Sequence, residues 1–460
     1  MKSPSSRASS QSQSSPPGGS LGIVHPHAAG IDIGSEKHYV AVSADRDPEP
    51  VRCFGCLTPD LQAMAQWLNA CSVTTVALES TGVYWIPVMQ VLEENGLEVY
   101  LVDARQAKSL PGRKTDVKDC QWLRELHAHG MLTRAFRPAD AICVLRSYWR
   151  HRQDLVEMAA MQIQLMQKSL EQMNLQLHKV LSDITGVTGL KILRAIVAGQ
   201  RDPVVLAQMR HPLVQSSEET IAKALTGDWR AEHLFTLRQA LELYDIYQQK
   251  IQDCDREIEA YMKTLGSRGD PQDLPHPPAA RRRKNQTHFD LRTRLYEVTG
   301  VDLTSLPGLD ALTAQTVLSE CGLDLSRFAT EKHFSSWLGL CPNHQITGGK
   351  IRRRRTRKVR HRAAQALRLA AQSLHKSKTA LGAYYRRMRG RLGPAKAITA
   401  TAHKLALLVY RMLKYGRAYV EQGQQAYEKQ YQQRTRQLLV KSAKQMGYAL
   451  VNLSSGEVVS

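Results

Sequence analysis

Residues 28–47 read AAGIDIGSEKHYVAVSADRD and set one carboxylate, Asp32, between two isoleucines in an apolar run. Gly34 and a second apolar alternation, Tyr39 to Val42, predict a strand, a tight turn and a returning strand. A carboxylate inside such a strand is costly unless something offsets its charge. The first hairpin therefore has to be built around whatever Asp32 holds.

Beyond this hairpin, strand and helix periodicities alternate. PVRCFGCL reads as a third strand, PDLQAMAQWLNAC as a helix, and VTTVALES (73–80) as a β-branched strand ending at Glu79. A helix from Tyr84 to Asn95, a short strand EVYLVD and a helix opening near Asp116 complete the pattern. This predicts an α/β domain with a mixed sheet over 28–135. Residues 1–27 are Ser-, Pro-, Gln- and Gly-rich, read as a disordered tail, and carry no apolar core of a secretory signal.

Over 136–265 the pattern turns long and helical. Leu155, Met158, Leu165, Met166, Leu170, Met173 and Leu177 recur at helical spacings, which predicts a helix from about 140 to 183. A second runs over 235–265, and the two predict an antiparallel coiled-coil arm or a dimer seam. Residues 266–289 read as a Pro/Gly/Arg-rich linker or insertion, 290–415 as a mostly α-helical domain, and 416–460 as a polar, Gln-rich tail.

The chain has 63 Lys and Arg against 42 Asp and Glu, a net charge of +21, which favours a nucleic acid as partner. No apolar stretch reaches the roughly 18 residues a membrane span needs. Eight scattered cysteines fit reduced thiols in a cytosol, and the single C-x-x-C of Cys53 and Cys56 reads as strand-edge residues rather than a zinc site.

If the fourth strand pairs beside the first, Glu79 lies next to Asp32. Asp116 and Asp119 are three residues apart and share a face at a helix start. Four converging carboxylates cannot all stay ionised without cations, and two Mg²⁺ ions suit an all-oxygen set. Two such metals bracket a phosphodiester during displacement. Other readings stay open: Asp116 as a helix N-terminal carboxylate, Asp119 on a solvated face, and GIDIGSEKHYVAV as the opening of a sugar-kinase-like ATPase.

In the C-terminal domain, LTSLPGLDALTAQTVLSECG (303–322) reads either as half of a helix-hairpin-helix or as a plain helix entry. Gly348 and Gly349 predict a flexible loop. Nine basic residues and no acid come next: Lys350, Arg352, Arg353, Arg354, Arg355, Arg357, Lys358, Arg360 and Arg362. An Ala/Leu-rich helix succeeds them, so this run is tethered to a core and is expected to bind nucleic-acid phosphates with a steep salt dependence. Ser335 and Ser336 read as structural, and His403 and Lys404 as surface polar residues.

GIDIGSEKH, ALESTGVYW and LVDARQAKSLPGRKTDVKDCQWLRELHAHG together resemble the RuvC-like (RNase H-like) DEDD domain of bacterial insertion-sequence transposases, the family of bridge-RNA-guided recombinases. The resemblance covers 28–130 and again about 300–415. It implies that Asp32, Glu79, Asp116 and Asp119 are the DEDD set holding Mg²⁺. It also implies a nucleophilic serine just before the glycines, where this chain carries Thr347 in QITGGK. Further implications are donor and target DNA, a structured guide RNA, a homodimer assembling to a tetramer, and a bacterial cytoplasmic setting. Threonine keeps the hydroxyl, but its methyl stiffens χ1. A resolvase-type metal-dependent nuclease and a catalytically inactive nucleic-acid-binding homologue are the rival expectations.

Overall fold

The computed structural model describes residues 22–80, 82–103, 116–275, 284–353, 355–357, 359, 361–451, 456 and 458–459. Residues 1–21 of the expected tail and 276–283 of the expected linker lie outside them. The chain divides into two units, Met1–Arg137 and Pro138–Ser460.

The first unit is a five-stranded mixed sheet. Its strands are β1 (Ala28–Ile33), β2 (Lys37–Ala41), β3 (Val51–Gly55), β4 (Thr75–Glu79) and β5 (Glu98–Val102), in the order β3-β2-β1-β4-β5. β1 is antiparallel to β2 and parallel to β4, and β4 is parallel to β5. Among the described residues its helices are α1 (Thr58–Ala70), α2 (Trp85–Glu94) and α3 (Asp116–Ala128).

Alternation along the strands sorts side chains to two faces. Ile31, Ile33, Val76, Leu78, Val99 and Leu101 join one core with Leu61, Met64 and Leu68 of α1 and Val88 and Leu92 of α2. Ala77 and Val102 face the other way, against Leu123 and Leu126 of α3. His127 of α3 is buried, shares a 2.9 Å hydrogen bond with Thr75 Oγ1 and stacks on His25 at 4.7 Å. Burial first, and then His25, hold its imidazole down at about 4.

The second unit is helical apart from short strand pairs. Its two longest early helices, α4 (Asp140–Gln172) and α9 (Ala231–Thr264), pack antiparallel. Tyr261 Oη donates to the Ala141 carbonyl at 2.9 Å, Arg152 pairs with Asp255, and Ser169 Oγ lies 2.9 Å from Thr236 Oγ1. Leu155, Ala159, Met166 and Leu170 meet Leu237, Leu241, Tyr244 and Ile251 between them. The four short helices α5 (Leu177–Val180), α6 (Val187–Val197), α7 (Pro203–Ala207) and α8 (Glu218–Ala224) add Ile192, Leu206 and Ile221 to the same core.

The helix expected to run to about residue 183 ends at Gln172. Asn174 takes the left-handed conformation (φ 56°). Its N–H donates to the Glu171 carbonyl and that of Leu175 to Leu170, closing the helix. Leucine spacing continues past this break, so periodicity alone passes through it.

Arg152 and Asp255 are 3 % and 1 % exposed and meet at 2.5 Å. His288 donates its backbone N–H to Asp255 Oδ2 at 3.1 Å, and Arg152 also donates to the Asn285 carbonyl. The pair thus ties α4, α9 and the segment leading into α10 (Leu291–Thr299). A buried pair of this kind costs little while complete and much when halved, because the remaining charge has no water.

The rest of the unit comprises α11 (Ala311–Cys321), α12 (Glu331–Trp337), β6 (Gln345–Thr347), β7 (Lys350–Arg353), α13 (Arg362–Ser373), α14 (Ala380–Leu392) and α15 (Pro394–Gln445), which is broken at Gly416. A last strand pair is β8 (Leu450–Val451) with β9 (Val458–Val459). Phe328, Phe334, Trp337 and Tyr410 form an aromatic cluster, with Tyr410 Oη donating to the Phe328 carbonyl at 2.7 Å. All eight cysteines are free thiols. Among the described residues no helix is long and apolar enough to cross a membrane.

These buried groups set two expected outcomes. Asp255→Ala, which strands Arg152, is expected to cost about 3–5 kcal/mol in denaturant unfolding of the full chain. For His127, the folded-state value lies below the unfolded 6.5. Below pH 6.5 the unfolded chain takes up a proton that the folded chain refuses until about pH 4, so stability falls as pH drops through that window. His127→Gln is expected to narrow the difference between melting curves at about pH 7 and about pH 5.

Candidate active site

Parallel pairing of β1 with β4 runs from Ala28 opposite Thr75 to Ile31 opposite Leu78. One step further along this register, Asp32 and Glu79 become neighbours on adjacent strands, about 4.8 Å apart in backbone spacing. Asp32 shares its face with Gly30, and Glu79 with Ala77. Both faces are the one that α3 covers, since Gly30 lies under Cys120 and Arg124 and Ala77 packs on Leu123. The strand pairing expected between Asp32 and Glu79 is therefore what the sheet provides.

Gly30 is what lets α3 settle there. A β-carbon at this position would overlap the Cys120 carbonyl oxygen and the Arg124 amide nitrogen. With the helix this close, Asp116 and Asp119 in its first turn sit at the same end of the sheet. Neighbouring groups register the carboxylates. The buried Cys120 thiol is pushed up to about 12, first by burial and then also by the charges of Asp32 and Asp119. Tyr39, paired with Asp32 across β2, has its hydroxyl pKa raised by Cys53, by burial and also by Asp116.

Asp32, Glu79 and Asp119 are half-buried and Asp116 is exposed. Among the described residues, no three His, Cys, Asp or Glu side chains are gathered closely enough to hold a metal ion. The fold thus brings the four carboxylates to one end of one face without closing them on a point. As a donor set they are all oxygen and anionic, which fits a hard divalent cation such as Mg²⁺.

In the second unit Thr347 ends β6 and faces Lys350, the first residue of β7. Gly348 and Gly349 between them have φ of 56° and 73°, the pair of left-handed values a two-residue type I′ hairpin needs. The expected flexible loop is instead a hairpin turn. The two glycines are there for conformation, since a β-carbon on either would meet nothing within 4 Å. Directly opposed residues project to the same side with β-carbons about 5 Å apart, so Thr347 and Lys350 share one face, and both are exposed.

The basic run divides. Lys350, Arg352 and Arg355 are exposed. Arg357 donates to the Ser336 carbonyl, and Arg362 donates to Gln153 Oε1 at 3.0 Å and Asp154 Oδ1 at 3.2 Å, so these two also hold the fold. Arg353 lies on β7, while Arg354, Lys358 and Arg360 are outside the described residues. Sequence reasoning passes over His361 within this run. Its ring meets Trp337 edge-on at 4.3 Å, and burial foremost holds it down at about 4, so it adds no charge. Ser335 is buried and bonded to the Lys332 carbonyl, as a structural residue should be.

Of the two readings of 303–322, the geometry favours plain helix entry. Asp310 caps α11 by accepting from the Thr313 amide at 2.9 Å, placing a carboxylate where a phosphate would sit. Gly308 (φ 87°) is packed on α13, where a β-carbon would meet the Ala370 carbonyl at 2.9 Å.

A carboxylate-bearing mixed sheet in one unit and a basic hairpin in the other are features of an enzyme that cuts and rejoins DNA. Residues 29–175 match a DEDD transposase model of the IS110 type, and residues 302–386 match the transposase IS116/IS110/IS902 family. The chain is thus a DNA transposase, with the two matches together spanning about half of it. It belongs to the IS110 family of insertion-sequence transposases. No curated protein matches the chain.

Gly30→Ala tests the seat of α3. Overpacking of this kind costs about 1–3 kcal/mol, and the expected result is a lowered melting temperature together with loss of DNA cleavage. Retained cleavage at full stability would show that α3 does not need this close approach.

Proposed function

We propose that this transposase excises and integrates its insertion sequence by attack of the Thr347 hydroxyl on a DNA phosphodiester, assisted by Mg²⁺ held by Asp32, Glu79, Asp116 and Asp119. The observation that carries the reading is the parallel register that sets Asp32 beside Glu79 on the face covered by α3. Bound Mg²⁺ would supply Lewis-acid polarisation of the phosphate and charge neutralisation at its oxygens. The carboxylates orient that charge toward the DNA, and the sheet and Gly30 fix their positions.

Thr347 Oγ forms the new bond to phosphorus while the bond to one sugar oxygen breaks. The threonine proton passes to water, and the departing sugar oxygen takes one up. The phosphothreonine ester keeps the bond energy, and a hydroxyl from another strand reverses the step to rejoin DNA and free Thr347. Lys350, on the same hairpin face, sits where it can balance charge on the non-bridging oxygens. Lys350, Arg352, Arg353, Arg354, Arg355, Arg357, Lys358, Arg360 and Arg362 form the nucleic-acid-binding set, with Arg357 and Arg362 also bracing it.

On the family resemblance, a structured guide RNA selects donor and target, and protomers assemble as a dimer and then a tetramer. The antiparallel α4–α9 pair is the proposed coiled-coil arm for that assembly. The carboxylates of one protomer would then serve the Thr347 hairpin of another.

The test incubates protein with donor DNA, target DNA, the element's flanking RNA and Mg²⁺, followed by a denaturing gel and peptide mapping. An adduct on Thr347, abolished in Thr347→Ala and in Asp32→Ala, is the expected result. Thr347→Ser, lacking the crowding methyl, is expected to raise the yield of adduct. Metal-dependent cutting without adduct would replace this mechanism with the resolvase type, and binding without cutting would mark an inactive homologue.

A further inference from the structure

From Lys332 to Val420 the sequence contains no aspartate or glutamate and 22 lysines and arginines. This stretch alone carries more positive charge than the net +21 of the whole chain. The hairpin and the run to Arg362 account for part of it. A second concentration lies at the end of α14, where Arg386, Arg387, Arg389 and Arg391 fall within two turns.

There α14 faces the part of α15 beyond the break at Gly416. Together they enclose a groove of about 360 Å³, lined among others by Arg386, Arg387, Gln430, Tyr431 and Arg434, with no carboxylate among the described residues of its lining. Arg386 is held in place by donating to the His375 and Ser377 carbonyls, and Arg387 lies over the Tyr384 ring at 5.6 Å. Arg387 and Arg434 are exposed, and among the described residues neither is ion-paired with a carboxylate. Tyr431, also in the lining, is half-buried. The second family match ends at residue 386, so Arg387 and the whole far wall lie beyond it.

We infer that this groove is a second nucleic-acid site, separate from the Thr347 hairpin, which takes the phosphodiester backbone of a DNA or RNA strand. Exposed arginines set on two opposed helices repel each other and attract polyanions. Guanidinium groups meet phosphate oxygens in paired hydrogen bonds. Glutamine and tyrosine between them add neutral hydrogen bonds and a ring on which a base can stack. The contacts inferred are to phosphates and to the faces of bases, which every sequence presents, so the site is expected to add grip rather than choice of target.

The experiment measures anisotropy of the full-length protein with a short labelled duplex of arbitrary sequence and, separately, with a labelled single-stranded RNA, over a salt series. Arg387→Glu with Arg434→Glu is compared with Lys168→Glu plus Lys191→Glu. That second pair makes the same change of charge on exposed lysines elsewhere in the unit. Loss of two phosphate contacts is expected to flatten the slope of log affinity against log salt by about 2 for duplex, or somewhat less for a single strand. The control pair is expected to leave the slope unchanged. The neutral pair Arg387→Gln with Arg434→Gln, checked for helix content by circular dichroism, is expected to flatten it equally. A change confined to one probe identifies the strand as DNA or as RNA. Unchanged slopes with both probes, or an equal change in the control pair, would overturn the inference. None of these readouts depends on Thr347 chemistry.

Discussion

Gly30 and the backbone of α3 lie too close together to admit a β-carbon between them, and the arrangement of the acidic residues depends on that contact. A helix lying further out would move Asp116 and Asp119 away from the ends of β1 and β4. The sheet fixes Asp32 and Glu79 by hydrogen-bonded register, which is rigid. The helix is held by packing, through Cys120, Leu123 and Leu126, and near its far end by the hydrogen bond of His127 to Thr75. The cluster is therefore built from one firm half and one half that depends on the absence of a single methyl group.

In the second unit the corresponding constraint is electrostatic. Arg152 and Asp255 are both lost to solvent, and Arg146 and Arg150 of α4 reach Glu320 of α11 nearby. These pairs do not make the apolar seam of α4 and α9 stronger than leucines would. They define which turn of one helix meets which turn of the other, because a slip by one turn would bury unpaired charge. The basic surface beyond can then be laid on a frame whose register is settled.

Much of the first unit was legible because its signals are local. Alternation located the strands around Asp32 and Glu79, and a crossover from an initial hairpin made β1–β4 pairing the natural expectation. What the residues could not disclose was the end of α4 before Asn174. A left-handed residue there is set by neighbouring carbonyls, not by its own pattern. The two glycines after Thr347 suggested looseness, whereas two consecutive positive φ values are what a tight hairpin requires. A run of arginines announces charge but is silent on partners, so Arg357 and Arg362 could not be told from their neighbours. That the four carboxylates share one end of a face without closing on a point was equally out of reach, since side-chain placement among like charges depends on what neutralises them.

The break at Gly416 carries a consequence for how this chain can change over generations. Leu405, Ala406, Val409, Tyr410 and Met412 are buried before it, while among the described residues of the same helix after it none is fully buried. Among the described residues, full burial in this helix thus stops before that glycine. The helix's described residues from Lys429 onward can be recoded without a compensating change in the core. The far wall of the arginine groove is an interchangeable part, whose exposed residues can change without disturbing the core to which it is attached.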